Sequence, residues 1–471
     1  MNDIGPVPAP LAAPMIENRT FDELKVGDSA SVRRILRADD IALFAYISGD
    51  INPAHLDPDY ARGDMFHHII VHGTWTAGLI SAVLGTKLPG PGTIYLDQSL
   101  QFRAPVGPGD EITATVTVAE LEPARHRVTL ACTAVNQSGT EVLRGTALVA
   151  APTEKVRRPA MPLPEVRLSR HERFNTLLAE AKARGPLVTA VVHPCDEVSL
   201  RGALDAARAG LIVPILVGPE AKIRAAAEKA GLDLADLRIE TVPHSHAAAA
   251  RGVQLVRDGT AKLLMKGALH TDELMHEVML AENGLRTGRR LSHVYVMDVP
   301  SYPRPLLVTD AAINIAPDLV TKRDIAQNAI DLARAIGIET PRLAVLSAVE
   351  TVNPAMPSTL DAAALCKMGQ RGQITGGIID GPLAFDNAVN ARAAAEKGIE
   401  SRVAGRADIL LVPDIEAGNM VAKQLTFLAG ADAAGVVVGA RIPIVLTSRA
   451  DDARTRLASC AVALMLAGPS D

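Results

Sequence analysis

Residues Phe44-Ala-Tyr-Ile-Ser-Gly-Asp-Ile-Asn-Pro-Ala-His-Leu-Asp-Pro-Asp-Tyr60, followed closely by Ile70-Val-His-Gly-Thr74, gather an acid, a base and a backbone donor into one short region. Asp50 and His55 flank Asn52-Pro53, a turn-forming pair in which the proline fixes its own φ and pushes Asn52 out of the helical region. The bend lets both side chains face one point. A carboxylate and an imidazole converging on one water can remove a proton and return one, given a third group that stabilises the charge developing elsewhere. His72-Gly73 is placed to supply that group. Asp and His beside a proline turn also serve commonly as caps, so the functional reading depends on what surrounds them.

Immediately upstream, Leu36 to Gly49 sets Ile41, Phe44, Ala45 and Ile47 behind Asp39-Asp40, the pattern of a helix begun by an acidic cap. Downstream, Thr74 to Leu84 is apolar on nearly every side, which predicts a fully buried helix. The period then changes. Thr93 to Phe102, Glu111 to Leu121, Arg127 to Asn136 and Glu141 to Ala150 are rich in Thr, Val, Ile and Leu, separated by Gly107-Pro108-Gly109-Asp110 and Gln137-Ser138-Gly139. These are antiparallel strands, and neither they nor the helix can hide their apolar surface alone. The expectation for residues 16–152 is an α+β domain whose antiparallel sheet wraps a central helix.

The motif Tyr46-Ile-Ser-Gly-Asp50-Ile-Asn-Pro-Ala-His55-Leu-Asp57 resembles that of the MaoC-type (R)-specific enoyl-CoA hydratases of the hotdog fold. The resemblance implies Asp50 and His55 as the catalytic pair adding water to a trans-2-enoyl-CoA, with Asn52 among the substrate-binding residues. It implies Gly73 as the donor of a backbone N–H to the thioester oxygen, at a helix start where dipole and unpaired N–H groups favour a developing enolate. Thr74-Trp75 stands where many relatives have Met-Leu.

Residues 1–15, with Pro6, Pro8, Pro10 and Pro14 among small residues, read as a flexible lead-in. Thr153 to Arg170 reads as a Pro-rich, semi-stiff linker. From 171 to 471 bare apolar runs alternate with Ala-rich amphipathic stretches: Leu187 to His193, Ile212 to Gly218, Lys262 to Lys266, His293 to Val299, Pro305 to Thr309, Leu343 to Ala348, Gly377 to Asp380, Ile409 to Val412 and Pro443 to Thr447. That alternation predicts a mostly parallel sheet covered by helices, with chemistry at strand C-terminal ends. Neither GxxxxGK[ST] nor a GxGxxG after a strand occurs.

Leu264-Met-Lys-Gly267, Gly284-Leu-Arg-Thr-Gly288, Thr309-Asp-Ala-Ala-Ile-Asn-Ile-Ala-Pro317, Asp380-Gly-Pro-Leu-Ala-Phe-Asp386 and Val445-Leu-Thr-Ser-Arg449 together resemble the phosphate acetyl/butyryltransferase family, and look more like its butyryl branch. The resemblance implies a two-lobed α/β fold and transfer of an acyl group between CoA and inorganic phosphate. Ser448 and Arg449 are then catalytic, and an Arg fork suits bidentate phosphate. Lys266, Arg286, Asp310 and Asn314 are the substrate-binding candidates. Acetyltransferases place an aspartate several residues after the Ser-Arg pair; here that spacing falls near Thr455, with Asp451 or Asp452 as substitutes. Two rival readings for this region are a decarboxylating-dehydrogenase-like enzyme and a degenerate CoA-binding or oligomerising module.

Composition sets the remaining bounds. Lys plus Arg number 48 against 53 Asp plus Glu in 471 residues, a formal charge of -5, so no basic excess points to nucleic acid. Aromatic residues make up 3%, too few for base-stacking platforms. The longest apolar runs fall short of the ~20 residues of a membrane helix, and no Lys or Arg precedes Arg19, so a soluble cytoplasmic protein is expected. Cys132, Cys195, Cys366 and Cys460 lack CxxC spacing, and neither His67-His68 nor His244-Ser-His246 carries ligand spacing. No metal and no tightly bound cofactor is expected; CoA thioesters and phosphate enter as substrates. A hotdog sheet with an open edge implies at least a dimer.

Overall fold

The computed structural model describes residues 14–468 apart from 165, 167, 169–171, 235 and 447–451. The chain divides into two compact units, Met1–Leu168 and Ser169–Asp471. Most of the expected flexible lead-in, 1–13, lies outside the described residues.

In the first unit the strands are β1 (Met15–Glu17), β2 (Ser29–Ile35), β3 (Ile94–Phe102), β4 (Glu111–Glu122), β5 (Arg127–Val135), β6 (Glu141–Ala150) and β7 (Arg157–Pro159). Five of them form an antiparallel sheet in the order β2-β4-β5-β6-β3. Along β4 every second residue is buried, Ile112, Ala114, Val116 and Val118, and β5 repeats this with Val128, Leu130, Cys132 and Ala134. Period-two alternation of this kind gives the sheet one apolar face. Onto that face pack Leu79, Ile80, Val83 and Leu84 of α4 (Gly73–Thr86). Its opposite face, with Gly78, Ser81, Ala82 and Gly85, is exposed, which corrects the expectation of a helix buried on every side, because small residues there offer little apolar surface to hide. Burying each of these side chains contributes about 1.5–3 kcal/mol. Ahead of it come α1 (Ala38–Ser48), α2 (Pro53–Leu56) and α3 (Pro58–Gly63).

The expected linker begins later than its prolines suggest. β7 pairs antiparallel with β1. Asn18, 1% exposed, donates to the carbonyls of Pro91 at 3.0 Å and Glu154 at 2.8 Å, and accepts from the Val156 amide at 2.9 Å. Residues 153–159 are therefore stitched to the first unit, because a buried side-chain amide satisfies backbone groups that water cannot reach.

In the second unit the strands are β8 (Leu187–Val192), β9 (Ile212–Gly218), β10 (Arg238–Thr241), β11 (Leu263–Lys266), β12 (Ser292–Asp298), β13 (Leu306–Thr309), β14 (Arg342–Leu346), β15 (Ile378–Leu383), β16 (Ile409–Leu411), β17 (Asp432–Val438) and β18 (Ile444–Val445). They form one eleven-stranded sheet, β10-β9-β8-β11-β18-β17-β12-β13-β16-β14-β15. The pairings are parallel except at β18–β17, β17–β12 and β12–β13. Three successive reversals leave β13, β16, β14 and β15 running opposite to β8 to β11. The sequence reading did not anticipate β17 or the polar β10. Among the described residues no helix is long and apolar enough to cross a membrane.

Gly145 of β6 faces Leu100 across the sheet, and a Cβ there would lie 1.9 Å from the Ser99 carbonyl oxygen. Gly145→Ala forces β3 aside, with an expected loss of about 3 kcal/mol, the upper end of overpacking costs. Urea unfolding followed through Trp75, the chain's single tryptophan and a core residue of this unit, measures it.

Candidate functional site

The turn around Asp50 is built by local hydrogen bonds that the sequence dictates. α1 ends at Gly49, whose φ of 74° belongs to the left-handed region that glycine tolerates. Ser48 Oγ donates to the Phe44 carbonyl at 2.7 Å and accepts from the Asp50 amide at 3.2 Å. Asp50 Oδ1 accepts from the Asn52 amide at 3.2 Å, and Asn52 Oδ1 caps α2 by accepting from the Ala54 amide at 3.1 Å. Asn52, expected among the substrate-binding residues, has its side-chain oxygen committed to the helix start, so it shapes the turn. Asp57 caps α3 through the amides of Asp59 and Tyr60.

His55 lies on α2 with Nδ1 2.8 Å from the Ile70 carbonyl. A carbonyl only accepts, so Nδ1 carries the proton and Nε2 keeps a lone pair. His72 stands at the N-cap position of α4, is 2% exposed, and lies against His55 with ring centroids 3.8 Å apart. Its Nε2 donates to the Asp50 carbonyl at 3.0 Å and stands 3.8 Å from the Asp50 carboxylate. One polar atom each of Asp50, His55 and His72 falls within 4.8 Å of the others, close enough to share one water; the same donor set suits a divalent ion. Gly73 opens α4, where amides lack intrahelical partners. A Cβ on Gly73 would lie 2.9 Å from the Phe102 ring, which packs close to this helix start. The sequence reading valued His72 only as the neighbour of Gly73; the His-Gly pair was the signal available.

The second set of candidates is placed differently. Ser448, Arg449 and Asp451 lie outside the described residues. Asp452 caps the helix Ala453–Ala467 by accepting from the Thr455 amide at 2.7 Å, which gives that carboxylate a structural role. Lys266 ends β11, its Nζ donating to the Gly267 carbonyl at 3.2 Å. A Cβ on Gly267 would lie 2.5 Å from the Val192 carbonyl oxygen, so this strand end is closely packed. Arg286 is exposed and bridges Ala440, while Thr287 Oγ donates to the Gly439 carbonyl at 2.6 Å.

Asp310 is 2% exposed, and its carboxylate accepts from the amides of Ala312 at 2.9 Å, Ile313 at 3.0 Å and Asn314 at 3.1 Å, and from Asn314 Nδ2 at 2.6 Å. Asn314 Nδ2 also reaches the Leu291 carbonyl at 2.8 Å. Asp310 and Asn314 form one network that holds the loop after β13, with the Asp310 carboxylate taken up by four N–H donors. Below them His293 is buried, which pushes its imidazole down to about 4 despite the Asp310 charge. The strand reversals put Lys266 and Asp310 at opposite ends of the strands, although both follow strand C-termini.

A cavity of about 980 Å³ opens at the starts of β8, β11 and β18, lined by Lys262, Thr287, Arg289, Asn328 and Arg441 among others. Burial raises all four thiols: Cys132 and Cys195 to about 11, Cys366 and Cys460 to about 12. A thiol so raised is a poor nucleophile near neutrality.

Comparison with known proteins assigns both units. Residues 241–464 match the family model described as phosphate acetyl/butaryl transferase. The phosphate acetyltransferase of Rhizobium meliloti is 65% identical over 295 residues, 63% of this chain and 93% of that protein. The chain belongs to the phosphate acetyl/butyryltransferase family. Ahead of the transferase, residues 23–139 match the MaoC like domain model. The phosphate butyryltransferase of Clostridium acetobutylicum is 44% identical over 295 residues, covering 63% of this chain and 98% of that one. Identity is thus higher to the acetyltransferase than to this butyryltransferase, which corrects the expected lean toward the butyryl branch. A branched-chain phosphotransacylase from Enterococcus faecalis V583 aligns with a TM-score of 0.53 at 29% identity, covering 60% of this chain and 99% of that one.

Asp310→Asn in this transferase turns a pure acceptor into a group with a donor facing amides. With a charged hydrogen-bonded group removed from burial, the second unit is expected to lose about 2–4 kcal/mol. Thermal unfolding compared with Arg286→Ala, which touches an exposed side chain and should leave stability within about 0.5 kcal/mol, checks the distinction.

Proposed function

We propose that this chain is a bifunctional enzyme that hydrates trans-2-enoyl-CoA to (R)-3-hydroxyacyl-CoA in its first unit and exchanges CoA for inorganic phosphate on an acyl group in its second. The observation that carries the first activity is the convergence of Asp50, His55 and His72 polar atoms within 4.8 Å, beside the open N-terminus of α4. Asp50 and the Nε2 lone pair of His55 hold one water. His55 takes its proton as the oxygen bonds to C3, the thioester oxygen gathers charge against the Gly73 N–H, and the proton is returned at C2. Acid-base groups of this kind contribute roughly 10²- to 10⁴-fold.

For the second activity a phosphate oxygen attacks the acyl-CoA carbonyl and the CoA thiolate leaves, giving acyl phosphate. Arg449 binds phosphate through its fork and Ser448 supports the thioester, with Lys266 and Arg286 as further contacts. Sequence similarity to phosphate acyltransferases carries these assignments. Self-association to at least a dimer is part of the same reading: the edge strand β3 exposes Ile94, Tyr95, Leu96 and Phe102, and Tyr46 and Ile47 stand exposed beside the acid-base turn. An apolar sheet edge of this kind calls for a partner.

Asp50→Asn is expected to lower kcat for crotonyl-CoA hydration at least about 100-fold while phosphate-dependent CoA release is unchanged. Full hydration by that variant would sink the assignment. Arg449→Lys keeps the charge and loses the fork, so the KM for phosphate should rise roughly tenfold, in line with one charge-assisted hydrogen bond; an unaltered phosphate KM counts against the role given to Arg449.

A further inference from the structure

Besides the acid Asp50 and the base His55, the first site contains a second imidazole, His72, whose contacts reach different parts of the machinery. His72 lies 5.1 Å from the Phe44 ring of α1 and 3.8 Å from the His55 ring of α2, centroid to centroid. It donates through Nε2 to the backbone carbonyl of Asp50 and itself occupies the N-cap position of α4, one residue before Gly73. Its other nitrogen, Nδ1, is buried without a hydrogen-bond partner. A buried nitrogen left unpaired costs free energy, so burial of this ring is tolerated for what its remaining contacts do.

We infer that His72 is the positioning residue of the hydratase: its Nε2–H ties the Asp50 turn to the start of α4 and so fixes the acid-base pair relative to the oxyanion donor. This inference rests on the hydratase reading above. The donor role follows from the acceptor, since the Asp50 carbonyl has no proton to give and Nε2 must carry one. The direction of the tether follows from chain connectivity. Asp50 sits on a short turn after Gly49, held there by Ser48 and by its own bond to the Asn52 amide, all within two residues of it. Those bonds set the shape of the turn and not its distance from α4. The His72–Asp50 bond spans 22 residues of sequence and supplies that distance. The stack on His55 completes the arrangement, as it sets the height of the catalytic ring whose Nδ1 is held by the Ile70 carbonyl.

The test separates the hydrogen bond from the packing. Gln carries an amide nitrogen as many bonds from Cβ as His Nε2, Asn carries one at the depth of Nδ1, and Phe keeps the stacking volume without a donor. Misplacement by about 1 Å costs on the order of 100-fold in rate. His72→Phe and His72→Asn are therefore expected to lose about 100-fold in kcat for crotonyl-CoA, with KM within about threefold, and His72→Gln to recover to within about tenfold of the parent. Near-UV circular dichroism and thermal unfolding establish that each variant is folded. Equal kcat for the Gln and Asn variants, or parental kcat in the Phe variant, overturns the inference. If the Phe variant does not fold, the Gln–Asn comparison decides alone. A parent enzyme that fails to hydrate crotonyl-CoA overturns the hydratase reading itself, an outcome seen before any variant is compared.

Discussion

The apolar face of α4 has to be covered, and in the first unit that requirement organises much else. α4 presents Trp75, Leu79, Ile80, Val83 and Leu84 to the apolar face of a five-stranded sheet, so its axis cannot shift without exposing them. A rigid axis gives a rigid N-terminus. The amides that no helix can pair internally then point at a fixed place, and the chain needs only a turn carrying an acid and a base to face it. The Phe102 ring, from the edge strand, lies against that terminus, so a Cβ at position 73 would push the ring aside. Packing and the proposed chemistry meet at Gly73, the first residue of the helix that the sheet covers.

The second unit is governed by strand direction. β17 and β12 sit in the middle of the sheet and each runs against both neighbours, so the two parallel blocks on either side point opposite ways. Loops that follow strands in one block therefore leave from the opposite end to those in the other. Gly435 of β17 makes the central packing possible: a Cβ there would lie 3.0 Å from His293 Nε2 and 3.1 Å from the Leu446 carbonyl oxygen. The buried polar layer formed by His293, Asp310 and Asn314 belongs to this seam.

Much of this was legible in residue order because local pattern encodes it. The alternation in β4, β5 and β6 and the all-round apolar character of α4 located those elements within a few residues. β17 escaped because Asp432-Ala-Ala-Gly opens it, a run without β-branched residues, and its place is decided by what the neighbouring strands leave room for. Strand polarity escaped for a deeper reason: an apolar run reads the same whichever way its neighbour points. At the first site the residue types pointed to Asp50 and His55, whose side chains come together with that of His72, whereas the capping by Asn52 and the bond from His72 needed coordinates, since capping and donating to a distant carbonyl leave no mark in spacing. At the second, the acidic character of Asp310 suggested a ligand contact until its amide partners were seen.

The cysteines offer a different kind of return. Cys132 lies in the core of the first unit and Cys460 in that of the second, both buried, and burial holds both thiols far from the reactive thiolate form. Neither can meet a reagent unless its own unit opens, so the rate at which an alkylating probe marks each one is a clock for the breathing of that unit. The protein thus carries two internal stopwatches, one per activity, that can be read on the same intact chain by mass spectrometry while either substrate is present.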